Sequence, residues 1–439
     1  MIRLFFILLF LGPLWAQQPN VVVIISDDAG YADWGFMNDY LQSLNPGQAK
    51  SVIPTPNLDA LRQRGTLITN AYTGAVCSPS RAAIVTGSYQ QRIGYEYNIN
   101  NLMGSNDVDG LSPDTTTIFD RMKSEGYTTG TVGKWHLGAR ANDNGLGNRP
   151  ENQGVDEFFG IWKGSRNYTI GAVSGSGTLR ETTASPFSDT VLETTPPWNT
   201  TNNYVTNAFG EGAVNFIKRH HADPDPFFLY VSFTAPHSPI GPSPDINDPR
   251  LSPLSGTRKN YASMVLTMDR EIGKILDSLE DPAGDGSISL TENTLVIFIN
   301  DNGGASGIGA DNTPLRNFKG SIFEGGTRVP MIIAGLGLPE NATFHSPIHS
   351  IDILPTCLDA AGATPPAGID GVSLLPYLNS TIPGVPHEVI TIRNDTKASV
   401  RKGDWKLAKN TTNSPFLLYN LGQDPGETTD LANANPQIV

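Results

Sequence analysis

Asn20-Val21-Val22-Val23-Ile24-Ile25-Ser26-Asp27-Asp28 is the stretch that decides how this chain folds. Five consecutive β-branched residues leave no alternation between a wet and a dry face, so the segment predicts a strand covered on both sides. It then runs directly into a hydroxyl and two carboxylates. Three later stretches repeat the arrangement. Thr128–Val132 leads into Gly133-Lys134-Trp135-His136, Phe227–Phe233 into Ala235-Pro236-His237, and Thr294–Ile299 into Asn300-Asp301-Asn302-Gly303-Gly304. Helical patterns lie between them. Thr55–Gly65 has Thr55 at the N-cap, Pro56 at the first position and Gly65 at the stop, and Thr117–Gly126, Val205–Arg219 and Tyr261–Leu279 also read as helices. The alternation predicts an α/β fold, a large sheet sandwiched by helices. In such folds ligands gather beyond the carboxyl ends of the strands, so the four polar clusters are expected to converge on one crevice.

Beyond about residue 370 the texture changes. His387–Arg393, Ala398–Val400, Trp405–Ala408 and Leu417–Leu421 are short segments separated by turns, followed by Asp424-Pro425-Gly426-Glu427. They predict a small C-terminal antiparallel-sheet subdomain, dividing the mature chain into 17–369 and 370–439.

Residues 1–16 combine Arg3, a short apolar run and a small residue before Gln17, which predicts a secretory signal peptide too short to span a membrane. No Cys follows it to carry a lipid, and no other apolar run reaches membrane length. The formal net charge is −13, and Arg3 is the only charge in residues 1–16, so the mature chain carries −13 − 1 = −14. Nucleic acid and an anionic membrane are thereby excluded as partners, although a small basic pocket with a bound cation can still attract an anionic substrate. There are two cysteines, Cys77 and Cys357. One bridge between them is allowed; if Cys77 is chemically special, Cys357 reads as a small buried hydrophobe in an apolar helical pattern. So few cysteines in an exported chain suit a bacterial periplasm or extracellular location. Triplets such as Asn167-Tyr168-Thr169 and Asn199-Thr200-Thr201 then read as plain loop sequence.

The sharpest motif is Cys77-Ser78-Pro79-Ser80-Arg81-Ala82-Ala83-Ile84-Val85-Thr86-Gly87. Pro79 at a first helical position predicts a helix just after Cys77, its positive end and N–H groups facing an anion at Cys77. The segment resembles the maturation motif of the formylglycine-dependent sulfatases, members of the alkaline-phosphatase-like superfamily. The resemblance extends from Asn20 to Glu427, with its parts in the family's order. It implies that a separate maturation enzyme oxidises Cys77 to formylglycine, whose hydrate attacks the sulfur of a sulfate ester. It also implies a metal site made of Asp27, Asp28, Asp301, Asn302 and the side chain of residue 77. Those oxygen ligands favour a hard cation, Ca2+ ahead of Mg2+.

The remaining roles follow from the same resemblance. Arg81 supplies a fixed donor fork, and Lys134 serves the formylglycine and the sulfate oxygens. His136 removes the proton of the second hydroxyl in the breakdown step. His237 and Lys319 sit on the ester, with His237 protonating the departing oxygen; apart from the resemblance, the residue types call for a metal-bound carboxylate to take the first proton, and Asp301 is the choice. Read without the family, Lys319 is a solvent-exposed lysine and His136 a structural strand-end histidine. Lys134 and His136 lie two apart in an extended segment, which puts them on one face and Trp135 in the core. Arg328 in Glu324–Pro330 reads as structural. The expected substrate is a sulfated carbohydrate, polysaccharide or oligosaccharide, with a marine galactan such as carrageenan as the specific guess. Gly94–Asn98, Lys163–Tyr168 and Arg393–Asp395 are candidate linings of its pocket. Two other functions fit less well: a phosphodiesterase or phosphonate hydrolase of the same superfamily, and a non-catalytic binder of sulfated glycans.

Overall fold

The computed structural model describes residues 18–47, 49–99, 110–138, 147–171, 177–185, 187–192 and 203–439. The expected leader and the Asn199 triplet lie outside the described residues. β1 (Asn20–Ser26) is central and wholly buried, as its unbroken apolar run requires. Its neighbours β7 (Phe227–Ser232) and β8 (Thr294–Asn300) are both parallel to it, with Ile25 opposite Ser232 and Ser26 opposite Asn300. β3 (Thr128–Lys134) pairs parallel with β7, placing Gly133 opposite Ser232. The four predicted strands are therefore adjacent, point the same way and end at the same level. Gly133 is needed there: its φ is +105°, and a Cβ would fall 1.9 Å from the carbonyl oxygen of Ser232.

The remaining strands of this sheet are β2 (Gly65–Tyr72), β4 (Glu157–Ile161), β5 (Arg180–Ala184), β6 (Phe187–Val191), β9 (Arg328–Ala334), β10 (Ala342–Phe344) and β11 (Ile348–His349). Their order is β10-β2-β9-β8-β1-β7-β3-β4-β5-β6, with β11 also on β2. β9 is antiparallel to both β2 and β8, so the sheet is mixed.

Alternate residues of β1 feed two separate cores. Val22 and Ile24 face a layer that includes Val205, Phe209, Ile217, Met264, Met268 and Ile272, from the helices Val205–His220 and Gly256–Glu280. Val21, Val23 and Ile25 face the opposite layer, which includes Ile84, Phe119, Met122, Leu354 and Cys357. Each fully buried aliphatic side chain contributes about 1.5–3 kcal/mol, so a strand buried on both faces anchors both layers. The helix expected at Tyr261–Leu279 begins earlier, at Gly256. Its first residues are polar and carry no apolar periodicity to mark the start. The helix Ile118–Ser124 opens with a capping box between Thr117 and Asp120. Trp135 is in the core against Phe119, as the alternation predicts. Cys357 is buried and free, as is Cys77, so the two form no bridge. No helix of the described residues is long and apolar enough to cross a membrane.

The C-terminal segments form a four-stranded antiparallel sheet, β12 (Val389–Asn394), β13 (Lys397–Lys402), β14 (Trp405–Lys409) and β15 (Leu417–Asn420). Ile390, Ile392, Ala408 and Tyr419 pack on Tyr72, Ile322 and Phe323 of the larger unit. A buried ion cluster fixes the same junction. Lys406 Nζ lies 2.7 Å from Glu324 Oε1 and 3.0 Å from Glu427 Oε1, with all three side chains at most 1% exposed. Glu427 also accepts the backbone N–H of Glu324. Burial opposes ionisation of Glu324, but Lys406, Arg328 and Arg401 hold its carboxyl at about 2. Arg328, bonded to the Thr69 carbonyl and the Tyr40 hydroxyl, has the structural place expected of it.

Because a buried pair loses most when one partner is removed, Lys406→Met leaves Glu427 without a cation and Glu324 with only Arg328 and Arg401. We expect a loss of about 3–5 kcal/mol, measured as a shift of the denaturant midpoint.

Candidate active site

Three carboxylates meet at the strand tips. Asp27 and Asp28 follow β1, Asp301 follows β8, and all three are buried. The chain is held there by Asp27 N–H donating to the Ala235 carbonyl at 3.0 Å and Asp301 N–H donating to the Ser26 carbonyl at 3.0 Å. Asp28 adopts a left-handed φ of 64°, and its N–H donates to Asp301 Oδ1 at 3.2 Å. Such a conformation costs a non-glycine residue about 1–3 kcal/mol and persists only where the surroundings impose it.

Three fixed cations face these carboxylates. Lys134 Nζ, from the end of β3, is 2.6 Å from Asp27 Oδ2. Arg81 Nη2 is 3.0 Å from Asp301 Oδ2 and 3.8 Å from Asp27 Oδ2, and its Nη1 donates to the Lys134 carbonyl and to the Ser232 hydroxyl. Lys319 Nζ is 2.6 Å from Asp28 Oδ1 and 3.0 Å from Cys77 Sγ. Lys319 is thus half-enclosed in the site, not on the surface as an isolated reading suggests. Arg81 is committed to orienting Asp301 and the end of β3.

Cys77 is the first residue of the helix Cys77–Thr86, with Val76 in extended conformation as its N-cap. The helix begins two residues before the position expected from Pro79, which falls inside the first turn. That turn can hold Pro79, since its missing N–H would have no partner within the helix. Cys77 Sγ lies 3.6 Å from Asp27 Oδ1. Asn98 Oδ1 accepts the N–H of Ser78, so the segment after the helix folds back over its start.

His136 departs from the extended geometry expected for Lys134–His136. Its φ is 57°, and β3 ends at Lys134. The imidazole nevertheless remains in the crevice. Burial first, then Lys134, Arg81 and Lys319, push its pKa well below the usual value, so it is neutral. Its Nδ1 has no hydrogen-bond partner among the described residues. A Cβ on Gly164 would fall 2.4 Å from its Cε1, so that glycine lets the backbone close over the ring. His237 is half-buried with Nε2 3.5 Å from Asp28 Oδ2, while Nδ1 contacts the Ser238 carbonyl at 2.6 Å.

The electrostatics divide the carboxylates. Complete burial opposes ionisation of Asp27, yet Lys134, His237 and Arg81 hold it below the ordinary value. Burial and the adjacent Asp27 push Asp301 above it. Burial, together with the Asp27 and Asp301 carboxylates, raises the Cys77 thiol to about 12 in spite of Lys134 and Lys319. As a thiol it is a poor nucleophile.

The sulfatase family's sequence profile matches residues 19–363, most of the chain. This chain belongs to the sulfatase family. It is a sulfuric ester hydrolase. A sulfatase of Formosa agariphila is 30% identical, with 96% of this chain and 85% of that protein covered. The human N-acetylgalactosamine-6-sulfatase is 29% identical, with 96% and 83% covered. Among solved structures, Ps i-CgsB in complex with k-i-k-neocarrahexaose superposes with a TM-score of 0.81 at 29% identity, with 96% of this chain and 90% of that chain covered.

In this sulfatase ligand atoms of Asp27, Asp28, Cys77 and His237 all lie within 4.8 Å of one another. Asn302 joins them through Nδ2, 2.8 Å from Asp28 Oδ1, while its buried Oδ1 has no hydrogen-bond partner among the described residues. An orphaned amide oxygen beside carboxylates fits a metal-ion site. The sulfatase site also uses two groups that the sequence reading passed over. Ser232 orients Arg81, and the Ala235 carbonyl fixes Asp27. Ser232 ends β7 and Ala235 follows three residues later; a polar residue in an apolar run was the available signal for Ser232, and nothing in the sequence marks the Ala235 carbonyl.

In the folded, unconverted protein neither Cys77 nor Cys357 should react with a thiol reagent at about pH 8, and both should react in denaturant. Rapid labelling of either native thiol would contradict the burial and the raised Cys77 pKa.

Proposed function

We propose that this sulfatase is an exported enzyme that removes sulfate from a sulfated carbohydrate, with carrageenan-type galactan oligosaccharides as the substrate class. We further propose that Cys77 is converted to formylglycine by a maturation enzyme, and that Ca2+ is held by Asp27, Asp28, Asp301, Asn302 and the converted residue 77. One observation carries the reading. Cys77 stands at a helix N-terminus between an oxygen cage and the ammonium group of Lys319, 3.6 Å and 3.0 Å away. The likeness to a protein complexed with neocarrahexaose supports the carbohydrate class.

The charge balance supports an anionic substrate. Three carboxylates and three fixed cations cancel, so a divalent cation makes the crevice doubly positive. A cation held by these residues would neutralise sulfate oxygens and acidify the nucleophile. Formylglycine contributes two hydroxyls when hydrated, one for attack on sulfur and one for later release of sulfate.

The chain's own groups do the rest. Asp301 accepts the proton of the attacking hydroxyl, and Arg81 holds its carboxylate in place. Lys134 and Lys319 meet the charge that grows on the sulfate oxygens, a preorganised clamp in a water-poor site. His237, at the mouth, donates a proton to the departing sugar oxygen through Nε2. His136, neutral and with a free Nδ1, accepts the proton that accompanies release of sulfate.

Protein made beside a maturation enzyme should carry at residue 77 the mass decrease that replacing CH2SH by CHO produces. It should free sulfate from an aryl sulfate and from carrageenan oligosaccharides faster than it cleaves a phosphodiester. Cys77→Ala should lower sulfate release by at least about 10^3-fold. Turnover lost on chelation should return with Ca2+ more fully than with Mg2+; equal restoration by Mg2+ would remove the calcium assignment.

A further inference from the structure

The short segment from Gly164 to Tyr168 touches both histidines of the crevice. Gly164 closes on the His136 ring, and Tyr168 reaches the turn that carries His237. That turn runs from Thr234 to His237, with His237 N–H donating to the Thr234 carbonyl at 2.9 Å. The Tyr168 hydroxyl is shared between the two ends of the turn, 2.5 Å from the Thr234 carbonyl and 2.9 Å from the His237 carbonyl. Between them the Ala235 carbonyl accepts Asp27 N–H. One turn therefore fixes a carboxylate on one side and an imidazole on the other. The imidazole is tied to this backbone, because its Nδ1 contacts the Ser238 carbonyl at 2.6 Å. A shift of the turn carries the ring with it.

Tyr168 is itself firmly held. It is 8% exposed, and its ring stacks on Tyr204 with centroids 5.3 Å apart and planes inclined by 22°. Val205 N–H donates to the Tyr168 carbonyl and Ile170 N–H to the Asn203 carbonyl, both at 2.7 Å. Buried Arg166 donates from Nε to the Asn167 carbonyl and from Nη2 to the Thr169 carbonyl. The phenol is thus anchored at the start of the helix Val205–His220, whose Val205, Phe209 and Ile217 lie in the core. A single hydroxyl links that core to the His237 turn.

We propose that Tyr168 is a positioning residue for His237, holding the imidazole where it can protonate the departing sugar oxygen. This rests on the sulfatase reading of the crevice. When the bond between sulfur and the leaving oxygen breaks, its electron pair goes to that oxygen. A sugar alkoxide is too basic to leave without the proton that His237 supplies, whereas a nitrophenolate is stable as the anion. Loss of the brace is therefore felt by one class of ester and not by the other.

Matured enzyme is assayed on a carrageenan oligosaccharide and on 4-nitrophenyl sulfate. Tyr168→Phe keeps the ring and removes the hydroxyl. It should lower kcat/KM on the oligosaccharide about tenfold or more, mostly through kcat, and on the aryl ester less than about twofold. Tyr127→Phe is the control, because its hydroxyl also donates to a backbone carbonyl, that of Pro19 at 2.8 Å, at the far end of β1. It should cost comparable stability and change the ratio of the two rates by less than about twofold. His237→Ala should show the same selectivity more strongly, and Tyr168→Phe added to it should cost less than about twofold more. Equal losses on both esters, no loss on the oligosaccharide, or a full further loss in the double variant would each overturn the brace. Independently of turnover, isotope-labelled histidine in Cys77→Ala protein reports the His237 ring by NMR, its signal identified by its absence in His237→Ala. Tyr168→Phe should shift or broaden that signal and Tyr127→Phe should not; a signal unmoved by Tyr168→Phe overturns the brace. A matured enzyme that frees sulfate from no ester, or a His237→Ala variant without selectivity, overturns instead the reading of the crevice, and the histidine signal then decides the brace.

Discussion

Mutual neutralisation of buried charge at the tips of β1, β3 and β8 is the constraint on which the rest of the structure depends. Asp27, Asp28 and Asp301 are nearly inaccessible, and an isolated carboxylate cannot remain ionised in such surroundings. Each is tolerated because Lys134, Arg81 or Lys319 stands within about salt-bridge distance, and each cation is tolerated for the same reason. The balance holds only if β1 and β8 keep the register that sets Ser26 beside Asn300, because a shift of one residue would turn an aspartate away. Sheet register and site chemistry are therefore one requirement.

The cations arrive from distant parts of the chain, and each is fixed by a different element. Lys134 ends a strand. Arg81 lies inside a helix buried along its whole length. Lys319 sits on a loop, and the C-terminal sheet secures that loop. Asn394 Nδ2 and Lys397 Nζ both donate to the Gly320 carbonyl, while Gly320 N–H donates to the Ala75 carbonyl beside the Cys77 helix. The small sheet is in turn clamped to the large unit by Lys406, Glu324 and Glu427. The subdomain is thereby part of the machinery that positions Lys319 against Cys77.

The three loops considered as pocket linings meet the crevice in different ways. Gly164 closes on His136, and Tyr168 supports the segment that carries His237. Arg393, at the tip of the β12–β13 hairpin, reaches Glu96 at 3.1 Å, so the hairpin and the segment after the Cys77 helix join at the rim. These surface segments are held by a rigid sheet, as loops on a scaffold commonly are.

Much of the architecture was legible because apolar runs and their polar ends are local patterns. Asn20–Asp28, Thr128–His136, Phe227–His237 and Thr294–Gly304 declared buried parallel strands and a shared crevice, and the Cys77–Gly87 motif carried the resemblance to the sulfatase family. Capping and close approach were less legible. The helix starts at Cys77 and not after it, and His136 leaves the extended conformation, where tertiary contacts override a local preference, while the long helix begins at Gly256 among polar residues that carry no apolar period to mark it. The sequence alone determined which side chains are available and that strand tips would gather them, since burial and periodicity are written residue by residue. Only the tertiary structure decided that Lys319 is a partner of Cys77, that Arg81 is spent on Asp301, and that the C-terminal sheet holds the Gly320 loop. Those facts are distances between segments far apart along the chain, which no local pattern encodes.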